Sequence, residues 1–318
     1  MIRVVLCALV AVLSLQAHAQ AWPSKAVRLV VPYPPGGSTD VAARPVAEKL
    51  SKAFGQPFVI DNRAGASGAI GAAEVARAEP DGYTILFAAD PVTTLHLVMK
   101  NVQFDVARDF VAITQVTTQP LAVAVHASVP ANTIQEFVAL ARANPGKYSF
   151  AHSGIGTGQH FAGELLKKMA GIDMAHVPYK GGGPAVQDLV AGQVPAAVLG
   201  STPVTPHHKS GRIRILAFTS KERIATMPEI PTLHESGFPG FDTTQWTGLL
   251  APRGTSADVV NRLYAETKKA LAAEDVKQRL AQASLAPVGN TPKEFDVLIR
   301  ADVERWTALA KSLSLEPQ

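Results

Sequence analysis

Three times in this chain a short apolar stretch runs into a glycine-rich turn and then into a helical pattern. The first is VRLVVPYPPGGSTD at residues 27–40, the second SFAHSGIGTGQH at 149–160, the third MAHVPYKGGGPA at 174–185. Each unit sets the backbone N–H groups of a helix start at the carboxyl end of a strand. Open α/β sheets bind small ligands there, and helix N-termini favour anions. One such turn is explained by chain reversal and a helix cap. Three that face one cleft say more. In the first, Gly36 and Gly37 permit positive φ and close backbone approach, and Ser38, Thr39 or Asp40 caps the helix. The pattern predicts a site for a small anion, with a carboxylate as the expected group.

The rest of the chain keeps the same alternation. Strands are predicted at 27–31, 58–60, 84–87, 121–125, 149–151, 174–177, 196–199, 213–218 and 247–251, with helices between most of them. Thr133 with Glu136 three residues later reads as a capping box. Residues 228–242, rich in proline and glycine, read as a long connection, and three helices close the chain. This order argues for mainly parallel sheets covered by helices. The segment 121–241 is a self-contained β/α set, and the closing helices need the first part of the chain to pack on. Two lobes follow, 20–120 with 242–318 and 121–241, joined by two crossings with a cleft between them. With 318 residues the chain can fill two cores. This is preferred over a single doubly wound sheet.

The first residues form a separate segment. Arg3 is followed by an apolar run from Val4 to Leu15, broken only by Ser14, and then by Ala17-His18-Ala19. This reads as a secretory signal peptide cleaved after Ala19, because the run is too short to span a bilayer. The single cysteine, Cys7, lies inside it. The mature chain then has no thiol, which excludes disulfides and cysteine chemistry. A net charge of +4, without basic runs interleaved with aromatics, gives no support for nucleic-acid binding.

The other chemical motifs are weaker. The turn from His152 to His160 misses the dinucleotide fingerprint, because Gln159 stands at the third glycine position. It is not a nucleophile elbow either, since Ala151 and Ile155 flank Ser153. A flexible anion nest remains. Ser153 with His160 lacks an identifiable third residue for hydrolysis. His207 and His208 are adjacent, and His152 and His160 are eight apart. No ligand spacing of the H-E-x-x-H kind occurs, so no metal and no cofactor are expected. Lys180 either offers a charge to the cleft or stands in solvent.

Taken together, the long blocks WPSKAVRLVVPYPPGGSTDVAAR, DNRAGASGAIGAAEVARAEPDGYT, NPGKYSFAHSGIGTGQHFAGELL, HVPYKGGGPAVQDLVAGQV and PEIPTLHESGFPGF resemble the tripartite tricarboxylate transporter receptor family, the Bug receptors. The resemblance runs over nearly the whole mature chain. It implies a two-lobed, type II periplasmic-binding-protein-like fold that closes over its ligand. It implies periplasmic location, small organic carboxylates as ligands, a two-component membrane permease as partner, a monomeric receptor not inserted in the membrane, and no enzyme activity. In the family a ligand carboxylate sits between two strand–helix loops, held by backbone N–H groups and ordered waters. Carried onto this chain, those loops supply Tyr33, Pro35, Gly36, Gly37, Ser38, Thr39 and Asp40 on one side. On the other they supply Ser153, Gly154, Gly156, Thr157, Gly158, Gln159 and His160. Ala89, Asp90, Tyr179, Lys180 and Gly181 are the neighbouring contacts.

The chain departs from the family at Pro195 and Leu199, where acidic residues are common, and at Ala88-Ala89-Asp90, often rich in Ser and Thr. Acids missing near the pocket would suit a more anionic or more apolar ligand, while Asp90 would accept from a hydroxyl, an amine or a protonated carboxyl. Dicarboxylates, aromatic acids and amino acids all stay open. A periplasmic sensor for a signalling partner and a hydrolase on the same scaffold are the alternative functions.

Overall fold

The computed structural model describes residues 22–317, so the expected leader at 1–19 lies outside the described residues. The described residues form ten strands: β1 (Val27–Val31), β2 (Phe58–Asn62), β3 (Thr84–Ala89), β4 (Phe110–His126), β5 (Ser149–His152), β6 (Ala175–Pro178), β7 (Ala196–Gly200), β8 (Ile213–Phe218), β9 (Thr244–Pro252) and β10 (Ala286–Pro287). The helices are α1 (Ser38–Phe54), α2 (Ala69–Ala76), α3 (Leu95–Val98), α4 (Val106–Asp109), α5 (Ile134–Ala143), α6 (Gly158–Ala170), α7 (Gly182–Val190), α8 (Ser201–Lys209), α9 (Ala257–Ala272), α10 (Glu274–Gln282) and α11 (Pro292–Ser312). No helix among the described residues is long and apolar enough to cross a membrane.

The strands join in the order β2-β1-β3-β9-β4-β7-β5-β6, with β8 and β10 also paired to β4. Each lobe keeps a parallel trio, β2-β1-β3 in the first and β6-β5-β7 in the second. The antiparallel members are the strands that run between or beside the lobes, β9, β4, β8 and β10. The sheet is therefore mixed, and it curls at β4. That strand is much longer than the expected 121–125. Its first part pairs with β9 as far as Pro120↔Thr244, and its last part pairs with β7 from Leu121↔Gly200. Pro120, which has no N–H to give to a ladder, marks the change of partner. Two register shifts against β9, near Ala112/Thr114 and Gln115/Thr117, bend the strand before it leaves the first lobe.

Apolar packing follows this division. Leu29, Phe87, Ile113 and Leu249 of the first lobe pack with Val46 and Leu50 of α1 and Val259 and Leu263 of α9. The four-residue spacing of Val46 and Leu50 puts both on one face of α1, and the closing helices return to cover it. The second lobe packs Val123, Phe137, Phe150, Leu166 and Phe241 on one side of its sheet and Ala151, Val186, Leu199 and Phe218 on the other. At α5 the capping box is half made. Thr133 accepts the Glu136 N–H at 3.2 Å, but the Glu136 carboxylate takes the N–H of Asn132 at 2.6 Å. Residues between β8 and β9 form the expected long connection.

Candidate functional site

β1 ends on Val31 and hands the chain to Pro32, Tyr33, Pro34 and Pro35 before α1 starts at Ser38. Gly36 sits at φ +86°, a conformation that favours glycine. Gly37, the N-cap, is at φ −79° and needs no glycine, and no side chain caps the helix after it. The first N–H groups of α1 therefore have neither an intrahelical acceptor nor a local cap. Asp40 turns back instead. It accepts the Gly36 N–H at 3.0 Å, Arg44 at 2.9 Å and Asn62 at 3.1 Å. Burial opposes its charge, but Arg44, the Gly36 N–H and Asn62 outweigh burial and hold its carboxyl below the usual range.

Two more helix starts repeat this condition. α7 begins after Gly181 and α8 after Gly200, both without an N-cap side chain, although at α8 the Thr202 N–H donates to Gln119 Oε1 at 3.4 Å and Pro203 has none to give. Residues of these starts meet those of α1 and α6 around a cavity of about 20 Å³. It is lined by Tyr33, Pro34, Gly37, Ser38 and Thr39 from the first lobe, by Ser153, Gln159, Gly181, Gly182 and Pro203 from the second, and by Gln245 of β9. None of these side chains is charged. Positive potential there comes from helix ends, each equivalent to roughly half a charge. Three glutamines tie the floor together. Gln245 Oε1 accepts from Gln119 Nε2 at 3.0 Å and from Gln159 Nε2 at 3.3 Å, and Gln159 Oε1 accepts the Ser153 N–H at 2.9 Å. A neutral pocket fed by several helix N-termini is chemically suited to one carboxylate, which it can desolvate without burying an arginine.

The lobes meet closely around this cavity, and glycine makes the contact possible. A Cβ on Gly156 would lie 2.7 Å from Val98, one on Gly158 2.6 Å from Asp90, one on Gly181 2.9 Å from Pro34, and one on Gly200 2.8 Å from Ser38. The Thr94 hydroxyl donates to the Gly156 carbonyl, and the Gly158 N–H donates to Asp90 Oδ2 at 3.2 Å.

Residues 42–315 match the family model of the tripartite tricarboxylate transporter family receptor. The chain belongs to that family. A curated relative from Pseudomonas sp. (strain P51), the UPF0065 protein in the tcbD-tcbE intergenic region, is 41% identical over 91% of this chain and 86% of its own. Among solved structures, R. palustris Rpa4515 with adipate is 34% identical with a TM-score of 0.91, covering 93% of this chain and 100% of that one. MatC from Rhodopseudomonas palustris with bound malate is 30% identical with a TM-score of 0.86, covering 91% and 100%.

Within this Bug-type receptor, the residues expected at the ligand fall into several places. Tyr33, Gly37, Ser38, Thr39, Ser153, Gln159 and Gly181 line the inner cavity. Pro35 and Gly36 line an outer hollow of about 770 Å³, with Pro184, Pro206 and Arg279. Gly154, Gly156, Thr157 and Gly158 shape the second loop without lining the cavity. Thr157 caps α6, taking the His160 N–H at 3.2 Å and donating to the Gly154 carbonyl at 2.8 Å. Asp40 is occupied as described. Ala89 is fully buried at the end of β3. Tyr179 donates to Asp188 at 2.6 Å, and burial together with Asp188 pushes its hydroxyl up to about 12. Lys180 is exposed.

Asp90 does not line the cavity. It is 1% exposed, with one carboxylate oxygen on the Gly158 N–H. Its other oxygen, Oδ1, has no partner among the described residues. Burial, then the nearby Asp302, pushes its carboxyl up to about 7. The raised value limits the negative charge that Asp90 carries near the anion site.

Leu199 and Pro195 also lie elsewhere than expected. Leu199 pairs with Ala122 and packs in the apolar core, while Pro195 offers its carbonyl to the His126 N–H at 3.0 Å. Alternation along β7 turns Leu199 away, and Gly200 meets Ser38. His160 faces away from the cavity and lies with His152 and His176, a grouping that spacing along the chain does not show. Gln245, Pro203, Gly182 and Pro34 complete the lining. Gln119 and Gln245, one on each strand where the lobes join, were the available signal for the polar floor.

Proposed function

We propose that this receptor captures a small organic carboxylate, a dicarboxylate first among them, between its two lobes and delivers it to a two-component membrane permease. The observation that carries the reading is the convergence of helix starts without side-chain caps on an uncharged cavity. The relatives' adipate and malate support a dicarboxylate. One carboxylate takes the N–H groups of the inner cavity, and the rest of the ligand extends toward the outer hollow. A cavity of about 20 Å³ holds little more than a water-sized group, so loading requires the lobes to part. The lobes are residues 20–120 with 242–318 and residues 121–241, turning at Pro120 and near Thr244. The chain works in the periplasm as a monomer, after loss of residues 1–19, and turns over no substrate.

A thermal-shift screen against mono-, di- and tricarboxylates, aromatic acids and acidic amino acids tests this. A ligand of the folded form adds about 2.7 kcal/mol at a hundred times its dissociation constant. An upward shift with at least one acid is expected. No shift with any of them contradicts the reading.

A further inference from the structure

On the far side of the second loop three imidazoles meet. His152 ends β5, His160 lies in the first turn of α6, and His176 lies in β6. β6 pairs in parallel with β5, His176 opposite Phe150, so His176 and His152 fall on one face two positions apart. α6 returns over that face and adds His160. One nitrogen from each ring lies within 4.8 Å of the other two.

We propose that His152, His160 and His176 form a binding site for one divalent transition-metal ion of the zinc, cobalt or nickel kind. Imidazole nitrogens suit these ions, whereas magnesium and calcium take oxygen. His152 is already oriented for the task. Its Nδ1 lies 2.9 Å from the Gly154 carbonyl and 3.3 Å from the Gly154 N–H, and in the tautomer whose Nδ1–H donates to the shorter contact, the carbonyl, the Nε2 lone pair faces the other rings. His152 Nε2 and His176 Nδ1 are 3.1 Å apart. Two nitrogens bound to one tetrahedral ion at about 2.0–2.1 Å stand roughly 3.3 Å apart, so this pair needs almost no movement. The widest pair, within 4.8 Å, includes His160, whose ring must move toward the other two to reach that spacing, and binding through Nδ1 would give up the 3.4 Å contact from the Gly156 N–H.

The rings also have access to open space. His160 and His176 line a cavity of about 520 Å³ together with Glu164 and Lys167. Lys167 is paired with Glu164 at 2.9 Å, and Lys100 and Glu316 also line the cavity, so it holds as many acidic as basic side chains beside the rings. Fixing both ends of the Ser153–His160 turn would stiffen it, but ion binding itself does not depend on what occupies the cleft.

The test uses untagged protein freed of metal by chelation and titrated with Zn²⁺, Co²⁺ and, as a control, Mg²⁺. The expected result is one equivalent of Zn²⁺ or Co²⁺ bound, no Mg²⁺, and the visible absorption of tetrahedral Co²⁺. His152→Ser should weaken binding at least about tenfold, since even outer-shell changes cost ten- to a hundredfold. A His207→Ala/His208→Ala variant should bind as the parent does. Absence of binding, unchanged affinity in folded His152→Ser, or loss in the His207/His208 variant overturns the proposal. The Co²⁺ spectrum of the unaltered protein reports on the site even if a variant fails to fold.

Discussion

Replacing Asp90 by asparagine should change how stability depends on pH. Asp90 is buried where the lobes meet, with the Gly158 N–H as its close donor at 3.2 Å, lesser help from its own N–H and Gln245, and a neighbouring acid, Asp302. Its carboxyl rises from an ordinary 3.8 to about 7. In that interval the unfolded chain has released the proton and the native chain still holds it. Stability therefore falls as pH rises, from full below about 4 to a plateau above about 7. A rise of about 3, at about 1.4 kcal/mol each, corresponds to about 4 kcal/mol. Carboxyls held low, such as Asp40, act in the opposite sense in both proteins and cancel in the comparison. Urea unfolding of parent and Asp90→Asn between about pH 4 and about pH 8 isolates the effect. The variant should gain on the parent by several kcal/mol across that range, with unchanged dependence on urea. A parent–variant difference that stays flat with pH would refute the argument that Asp90 is buried and starved of partners.

Three further substitutions probe the lobe contact and the core beside it. Gly156→Val places a branched side chain at φ +79° and 2.7 Å from Val98, so it should abolish acid binding and enlarge the scattering radius as the lobes fail to meet; Gly37→Ala, at ordinary φ with 3.9 Å to its nearest neighbour, should stay within about 0.5 kcal/mol of the parent. Trp246→Phe removes the indole N–H that Asp302 accepts at 2.6 Å and should lose about 1.5–3 kcal/mol in denaturant unfolding.

What could be read from the sequence was what short-range chemistry controls. Gly36 and Gly156 signal positive φ within a few residues, and Val46 and Leu50 signal a buried helix face, so the strand–turn–helix units were legible. The first half of β4 was not. Thr114, Thr117, Thr118 and Pro120 blur its alternation, and the strand exists because β9 and β10 pair with it from distant parts of the chain. The cavity was legible where one loop supplies several lining residues, as in 33–39. It was illegible where single residues arrive from elsewhere, as with Gln245 and Pro203. His160 and Leu199 sit close along the chain to cavity residues but lie outside its lining, and Asp90 reaches the lobe contact at Gly158 rather than the cavity. His176 joins His152 only through the register of β5 and β6.

The central claim is that helix N-termini hold a carboxylate in the inner cavity. Calorimetric titration with dicarboxylic acids, each beside its own diamide, tests it most directly. At least one acid should bind with one-to-one stoichiometry, and its diamide, equal in shape but uncharged, should not. Binding of the diamides as tightly as the acids, or of no acid in the series, would contradict it.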